Sequence, residues 1–89
     1  MPDRVWNFRF VSQSQGHRTV FAWRWEARSP DGAVLQSTKA FTTLPDCVYD
    51  AQRRGFKGAL DGNGGFQQRG YRIERYPDGV VLSPLKTGP

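Results

Sequence analysis

The sequence predicts an α+β domain in which an antiparallel sheet of three to five strands packs on one short helix. Aromatic side chains alternate with polar ones over two long segments, Pro-Asp-Gly occurs twice between strand-like segments, and one segment has the apolar spacing of a helix. At 89 residues the chain is long enough for one domain and too short for two. The predicted parts of this single domain are 4–55 (three strands and the helix), 56–68 (a glycine-rich loop), 69–85 (a second hairpin) and 86–89 (a polar tail).

The first two strands are predicted from alternation. Residues 4–11 place three aromatic side chains on one side of an extended chain, and residues 18–28 do the same. Residues 12–17 between them are polar and contain a glycine, which predicts a connector. The aromatic side chains are Trp6, Phe8 and Phe10, then Phe21, Trp23 and Trp25. Most are expected in the core; the surplus is expected to stack on bases, to contact a partner, or to be covered by the second hairpin.

A turn, a third strand and the helix follow. Ser29-Pro30-Asp31-Gly32 has the residues of a type I turn closed by a glycine bulge, and a strand is expected over 33–41. Thr43 is the expected N-cap of a helix that runs to about Arg54, and Gly55 stands where helices commonly end. The apolar stripe of this helix is Leu44, Cys47, Val48 and Ala51.

The last third of the chain is predicted to hold a loop and a hairpin. Residues 57–65 contain four glycines, which favours a mobile loop over regular structure. Two strand-like segments, 69–76 and 80–85, then flank Pro77-Asp78-Gly79, so a second hairpin with the turn of the first is expected. The tail 86–89 is expected to fray.

Residues 20–55 also resemble a known family. The pattern consists of the aromatic strand Phe21–Ala27, the turn Asp31-Gly32, Ser37, Phe41 and the helix from Leu44. It resembles the YegP-like family of small bacterial domains of unknown function, whose repeats form a three-stranded antiparallel sheet packed on one helix. The Gly-Ile-x-x-Val-Lys pattern near the middle of that family's helix is absent here. The resemblance therefore implies a fold and no activity.

The charge pattern indicates an anionic partner. Lys and Arg number 13 against 8 Asp and Glu, a formal net charge of +5, and only Glu26 and Glu74 fall in strand-like segments. Guanidinium groups bind phosphates bidentately and stack on bases. The sequence therefore predicts weak binding of DNA or RNA by an Arg-rich sheet face. The candidate residues are Arg18, Arg24 and Arg28, on the side of strand two opposite its aromatics, and Arg72 in the second hairpin.

A second interpretation gives these arginines no binding role. They then form a solubilising face that is partly paired with Glu26 and Glu74. In that case the domain is a protein-interaction or accessory module with no nucleic-acid role, in contact with another protein, and itself a monomer or weakly self-associated through strand edges or surplus aromatics.

No catalytic, metal or cofactor site is predicted, and the sequence does not predict an enzyme. His17 is the only histidine and falls in the polar connector, where a solvated side chain is expected. Cys47 is the only cysteine and belongs to the apolar stripe of the helix, so we expect a buried, inert thiol. Asp46 and Asp50 are one helical turn apart and are expected on a solvated helix face.

The compartment is predicted from what the sequence lacks. Its apolar runs are far shorter than the ~20 residues that span a bilayer, which predicts no membrane partner. The first residues do not have the pattern of a secretory leader, and one cysteine forms no intramolecular disulfide. A cytoplasmic location is therefore expected.

Overall fold

The computed structural model describes residues 4–85, which form a five-stranded antiparallel sheet and one α-helix. The elements are β1 (Val5–Gln15), β2 (Arg18–Arg28), β3 (Val34–Gln36), α1 (Leu44–Arg53), β4 (Tyr71–Tyr76) and β5 (Gly79–Pro84). The strand order in the sheet is β3-β2-β1-β5-β4. The α+β class and the antiparallel sheet agree with the prediction, and the strand number is the upper end of the predicted range. The predicted tail 86–89 lies outside the described residues.

The hairpin of β1 and β2 is longer than predicted. Gln15 pairs with Arg18, so the connection is only Gly16 and His17. Gly16 has a φ of 63°, which suits the first position of a two-residue type II′ turn. The predicted connector over 12–17 is therefore wrong, because this tight turn lets the polar residues 12–15 continue β1 up to the tip.

The far half of this hairpin projects beyond the rest of the sheet. The pairing of β1 with β5 ends where Arg9 meets Gly79, and the last backbone pairing of β2 outside the hairpin is the bridge between Trp23 and Phe41. Residues 11–22, here called the ribbon, therefore form a two-stranded extension roughly 17 Å long, at ~3.3 Å per residue.

The helix has the ends that the sequence predicts. The Thr43 hydroxyl accepts a hydrogen bond from the backbone N–H of Asp46 at 3.3 Å, which satisfies one of the free donors of the first turn. At the other end the N–H of Phe56 bonds the carbonyl of Ala51, and the N–H of Gly55 bonds that of Gln52. These two bonds form a Schellman motif, and α1 ends at Arg53, one residue before the expected end.

The core takes side chains from the helix, from the segment after it and from one face of the sheet, here called the core face. Trp25 is 1% exposed, and its indole N–H donates to the Asp50 carboxylate of α1 at 2.8 Å. The members of the core are Trp6, Phe8, Trp25, Ala27, Cys47, Val48, Ala51, Phe56, Phe66, Tyr71 and Leu82. Aromatic rings dominate this list, so ring packing supplies most of the buried apolar area.

The two Pro-Asp-Gly turns differ. In the first, the N–H of Gly32 bonds the carbonyl of Ser29 and Gly32 has a φ of 93°, as predicted. The expectation of the same turn in the second hairpin is wrong: Gly79 lacks a positive φ and belongs to β5, which leaves a two-residue turn. A Cβ at Gly79 would overlap the carbonyl of Phe8, so this glycine permits the close approach of β5 to β1.

Two other segments differ from the sequence interpretation. The third strand spans only Val34–Gln36 rather than 33–41. The glycine-rich segment 57–65 forms no helix and, apart from one bridge between Leu60 and Phe66, no strand. However, the Phe56 and Phe66 rings that flank this segment are buried, so its two ends are fixed in the core. The prediction of a mobile loop did not include this anchoring.

Candidate functional site

Two arginines lie side by side on the sheet face opposite the core, here called the open face. Arg9 of β1 and Arg24 of β2 are directly paired in the antiparallel register. The Cβ atoms of such a pair lie about 4.5–5.5 Å apart, and like charges in this position destabilise a sheet. Within residues 4–85, neither guanidinium has an acidic partner within 4.0 Å. The pairing of Arg9 with Arg24 therefore does not stabilise the fold.

The surroundings leave both guanidinium groups accessible to an anion. On the other side of Arg9 the paired residue is Gly79, which has no side chain to fill the space. The nearby carboxylate of Glu26 accepts a hydrogen bond from Arg28 at 3.3 Å and so is already engaged. The open face around Arg9 and Arg24 therefore carries two uncompensated positive charges.

A shallow depression of about 170 Å³ lies between these arginines and the β3 edge. A second depression, of about 280 Å³, is lined by Val5, Asn7, Glu26, Arg28 and Val81, and adjoins the first at Glu26. Small-molecule sites usually have ~300–1,000 Å³. The first depression by itself is below this range and has room for a single anionic group. Its lining residues are Arg9, Val11, Arg24, Trp25, Glu26, Gln36 and Ser37.

The four arginines that the sequence singled out all belong to the open face by register, but they do not form one patch. Glu26 separates Arg24 from Arg28 along β2. Arg18 lies at the tip of the ribbon, six residues from Arg24 and so roughly 20 Å away. Arg72 is in β4, three strand spacings from β2, or about 14 Å.

Arg9 is not among the four candidate arginines predicted from the sequence. The alternation in β1 already placed it opposite Phe8 and Phe10, but its neighbour across the sheet depends on the length of the turn. A six-residue connector gives no register, whereas the two-residue turn puts Arg9 against Arg24. One signal was present in the sequence: residues 7–25 contain no Asp or Glu.

Other chemistry-bearing residues are dispersed. His17 lies exposed in the turn of the ribbon, and Cys47 is fully buried in α1. Burial, with a smaller contribution from the Asp50 charge, raises the pKa of the Cys47 thiol to about 12. Among residues 4–85 no group of three or more His, Cys, Asp or Glu side chains is placed to hold a metal ion.

Asp61 holds the glycine-rich segment in shape. Its carboxylate accepts hydrogen bonds from the backbone N–H groups of Asn63, at 2.7 Å, and Gly65, at 3.1 Å. These bonds favour the charged form and lower the pKa of Asp61 below its usual 3.8, with help from Arg75. The carboxylate thus has a local structural role.

The surplus aromatics lie where the ribbon joins the rest of the sheet: Phe21 belongs to the ribbon, and Phe10 and Trp23 adjoin it in β1 and β2. Phe10 is 40% and Phe21 55% exposed, and their rings stack 5.3 Å apart with an interplanar angle of 9°. Trp23 contacts Phe10 at 5.0 Å between ring centroids. These three rings, here called the aromatic cluster, lie beyond the last β1–β5 pair; the Phe10 and Phe21 rings stay exposed, whereas Trp23 is half-buried against the core. They are on the opposite face of the β1–β2 hairpin from Arg18 and Arg24.

Comparisons with protein-family models, with curated proteins and with solved structures find no match to this chain. The resemblance of residues 20–55 to the YegP-like family therefore stays a prediction from the sequence. No helix of the described part of the chain is long and apolar enough to cross a membrane.

Proposed function

We propose that this chain is a small, non-catalytic domain that binds DNA or RNA weakly through its open face. The observation that carries the proposal is the Arg9–Arg24 pair, in which like charges lie directly opposite with no acidic partner among residues 4–85. A phosphate placed between the two guanidinium groups replaces their repulsion with charge-assisted hydrogen bonds.

The other arginines extend this contact along a nucleic-acid backbone. The distance of roughly 20 Å between Arg24 and Arg18 corresponds to about six base steps at ~3.4 Å of helical rise per step. A two-stranded ribbon also has the width that the major groove of a duplex accepts. In this arrangement Arg9 and Arg24 hold one phosphate, Arg18 reaches another from the tip, and Arg28 and Arg72 contribute at the flanks.

Replacing both central arginines tests the proposal. We expect Arg9→Gln combined with Arg24→Gln to weaken binding by about tenfold for each lost phosphate contact at ~0.1 M salt. The slope of log affinity against log salt should fall by about one, since the two arginines hold a single phosphate and each phosphate contact contributes ~0.9. The measurement is an NMR titration of the full chain with short duplexes and single strands at two salt concentrations.

A matched control removes the same charge elsewhere. Arg53 and Lys57 are exposed and lie outside the sheet, so Arg53→Gln with Lys57→Gln changes net charge equally without touching the open face. Equal losses of affinity in both double variants would mean that binding follows net charge rather than the Arg9–Arg24 pair. Unchanged spectra of the unaltered chain at low salt would contradict the proposal outright.

The aromatic cluster favours a second candidate function, contact with another protein. Stacked rings that are 40% and 55% exposed are an apolar surface of the kind that marks interaction sites. If so, the folded chain should increase the fluorescence of an apolar dye, and Phe21→Ser should reduce that increase. A folded Phe21→Ser variant with unchanged dye fluorescence would show that the cluster does not offer such a surface.

A further inference from the structure

β4 is an edge strand, and within residues 4–85 no strand lies on its outer side. The N–H of Leu85 bonds the carbonyl of Gly70, and Tyr76 pairs with Gly79 across a two-residue turn. Antiparallel ladders alternate, so the even-numbered residues of β4 bond β5 while the backbone groups of the odd-numbered ones point outward. Among residues 4–85, the outward backbone groups of Ile73 and Arg75 have no hydrogen-bond partner.

The side chains of β4 make this edge complementary to itself in one register. If Ile73 lies opposite the partner's Ile73 in an antiparallel pair, then Arg72 lies opposite the partner's Glu74, and Glu74 opposite the partner's Arg72. Both pairs are of the non-hydrogen-bonded kind, in which the Cα atoms approach to ~4.5 Å and side chains are closest. The outward backbone groups of Ile73 fall in the hydrogen-bonding position of the same register, where they meet those of the partner's Ile73.

Neighbouring registers do not share this property. If the pairing register shifts by two residues in one direction, Glu74 lies opposite the partner's Glu74. If it shifts by two residues in the other direction, Arg72 lies opposite the partner's Arg72, so like charges meet in both cases. A slip by a single residue exchanges the faces of the sheet and sets the core face of one copy beside the open face of the other. Only the Ile73-centred register joins opposite charges and keeps the faces aligned.

We propose that two copies of this chain associate in antiparallel fashion along β4, with Ile73 at the two-fold axis and two Arg72–Glu74 pairs across the interface. Of the devices that usually prevent such pairing, β4 has no proline and no bulge, and its open-face charges alternate in sign, so that in this register they attract the second copy. Glu74 accepts from the Tyr76 hydroxyl only at 3.5 Å, so its carboxylate is available to the partner's arginine.

The resulting dimer has one continuous sheet of ten strands. Its two-fold axis is perpendicular to the sheet, so the open faces of both copies lie on the same side and present two Arg9–Arg24 pairs. The interface is small, and association is therefore expected to be weak. The dimer interface shares only Arg72 with the proposed nucleic-acid contact and does not use the Arg9–Arg24 pair, so the oligomeric state of the free chain tests dimerisation separately.

Charge reversal tests the register. Sedimentation equilibrium of the full chain at concentrations up to ~1 mM should show a monomer–dimer equilibrium. Arg72→Glu places two glutamates opposite each other at both contacts, and Glu74→Arg places two arginines there, so each variant alone should be monomeric. An equimolar mixture of the two variants restores opposite charges at both contacts and should form a mixed dimer.

The mixture separates the proposal from a folding defect, because a variant that fails to fold is not rescued by another that also fails. Arg53→Glu is the matched control: it makes the same charge change on the helix and should dimerise like the unaltered chain. A chain that stays monomeric up to ~1 mM, or single variants that dimerise as it does, would overturn the proposal. A mixture of the two variants that remains monomeric would overturn the Ile73-centred register.

Discussion

Phe56→Ala is expected to lower the free energy of unfolding by about 3–5 kcal/mol, the usual range for removing a buried phenylalanine ring. Phe56 is 3% exposed and lies at the centre of the aromatic core. Its ring centroid is 5.2 Å from those of Trp6 and Phe8, 5.4 Å from that of Tyr71 and 6.2 Å from that of Phe66. At about 0.05–0.15 kcal/mol per residue, the whole domain is expected to be stable by only about 4–13 kcal/mol.

Phe21→Ala removes the same atoms from an exposed position and is the natural control. Its main ring contact is the stack on Phe10, so the expected loss is about 0.5–1.5 kcal/mol. The free energy of unfolding of each variant is measured by urea denaturation, followed by tryptophan fluorescence. The two values can be compared directly if the slope of unfolding free energy against urea concentration is the same in both variants. Similar losses in the two variants would mean that Phe56 is not a core residue.

The presence of the strands and of the helix could be predicted because their signals are local, whereas the ends of β1 and β3 could not. Alternation of Trp6, Phe8 and Phe10 with polar residues fixes which face of β1 is buried, whatever its neighbours are. The Thr43 cap and the apolar stripe likewise fix α1, since both depend on residues within one or two turns. These elements needed no knowledge of the rest of the fold.

The missed features depend on contacts between distant residues. Phe56 and Phe66 flank a glycine-rich segment with no period of two or 3.6, so nothing local distinguishes them from exposed loop residues. Gly79 has a turn-like sequence context, and its place in β5 follows only from the close approach of β1. In both cases the structure depends on tertiary packing, and the local sequence pattern does not indicate it.

The candidate site was predictable only in part for the same reason. The face on which Arg18, Arg24 and Arg28 lie follows from alternation within one strand. The neighbour of Arg24 follows from the pairing register, which the two-residue turn at Gly16 and His17 sets. The sequence therefore predicts a basic face and not the Arg9–Arg24 pair on which the proposed function depends.

The thiol of Cys47 is expected to react with a thiol reagent at least about 1,000-fold more slowly in the folded chain than in the unfolded chain at pH 8. Only the thiolate is reactive, and each unit of pKa increase lowers its population about tenfold when the pKa is above the pH. Burial and the nearby Asp50 charge raise the pKa from 9.0 to about 12, and the side chain is fully buried. The measurement compares the rate of thiol modification with and without urea.

The raised pKa of Cys47 also predicts how the free energy of unfolding changes at alkaline pH. Above pH 9 the unfolded chain loses the Cys47 proton while the folded chain retains it, so unfolding releases protons and stability falls as pH rises from 9 towards 12. The Cys47→Ala variant has no thiol and therefore does not show this fall. The difference in unfolding free energy between the unaltered chain and this variant should become smaller between pH 9 and pH 12. A constant difference would contradict the raised pKa.

Residual modification of the folded chain has two routes, direct attack on a rare buried thiolate or attack during transient unfolding. The Phe56→Ala variant distinguishes the two routes. Phe56 is not a sequence neighbour of Cys47, and its replacement lowers the stability of the whole domain. If unfolding is the route, a loss of about 3 kcal/mol increases the modification rate roughly 150-fold, since 1.4 kcal/mol is a factor of ten. A rate that Phe56→Ala leaves unchanged would show that the reagent reaches Cys47 without unfolding, contrary to the burial of this side chain beneath the aromatic core.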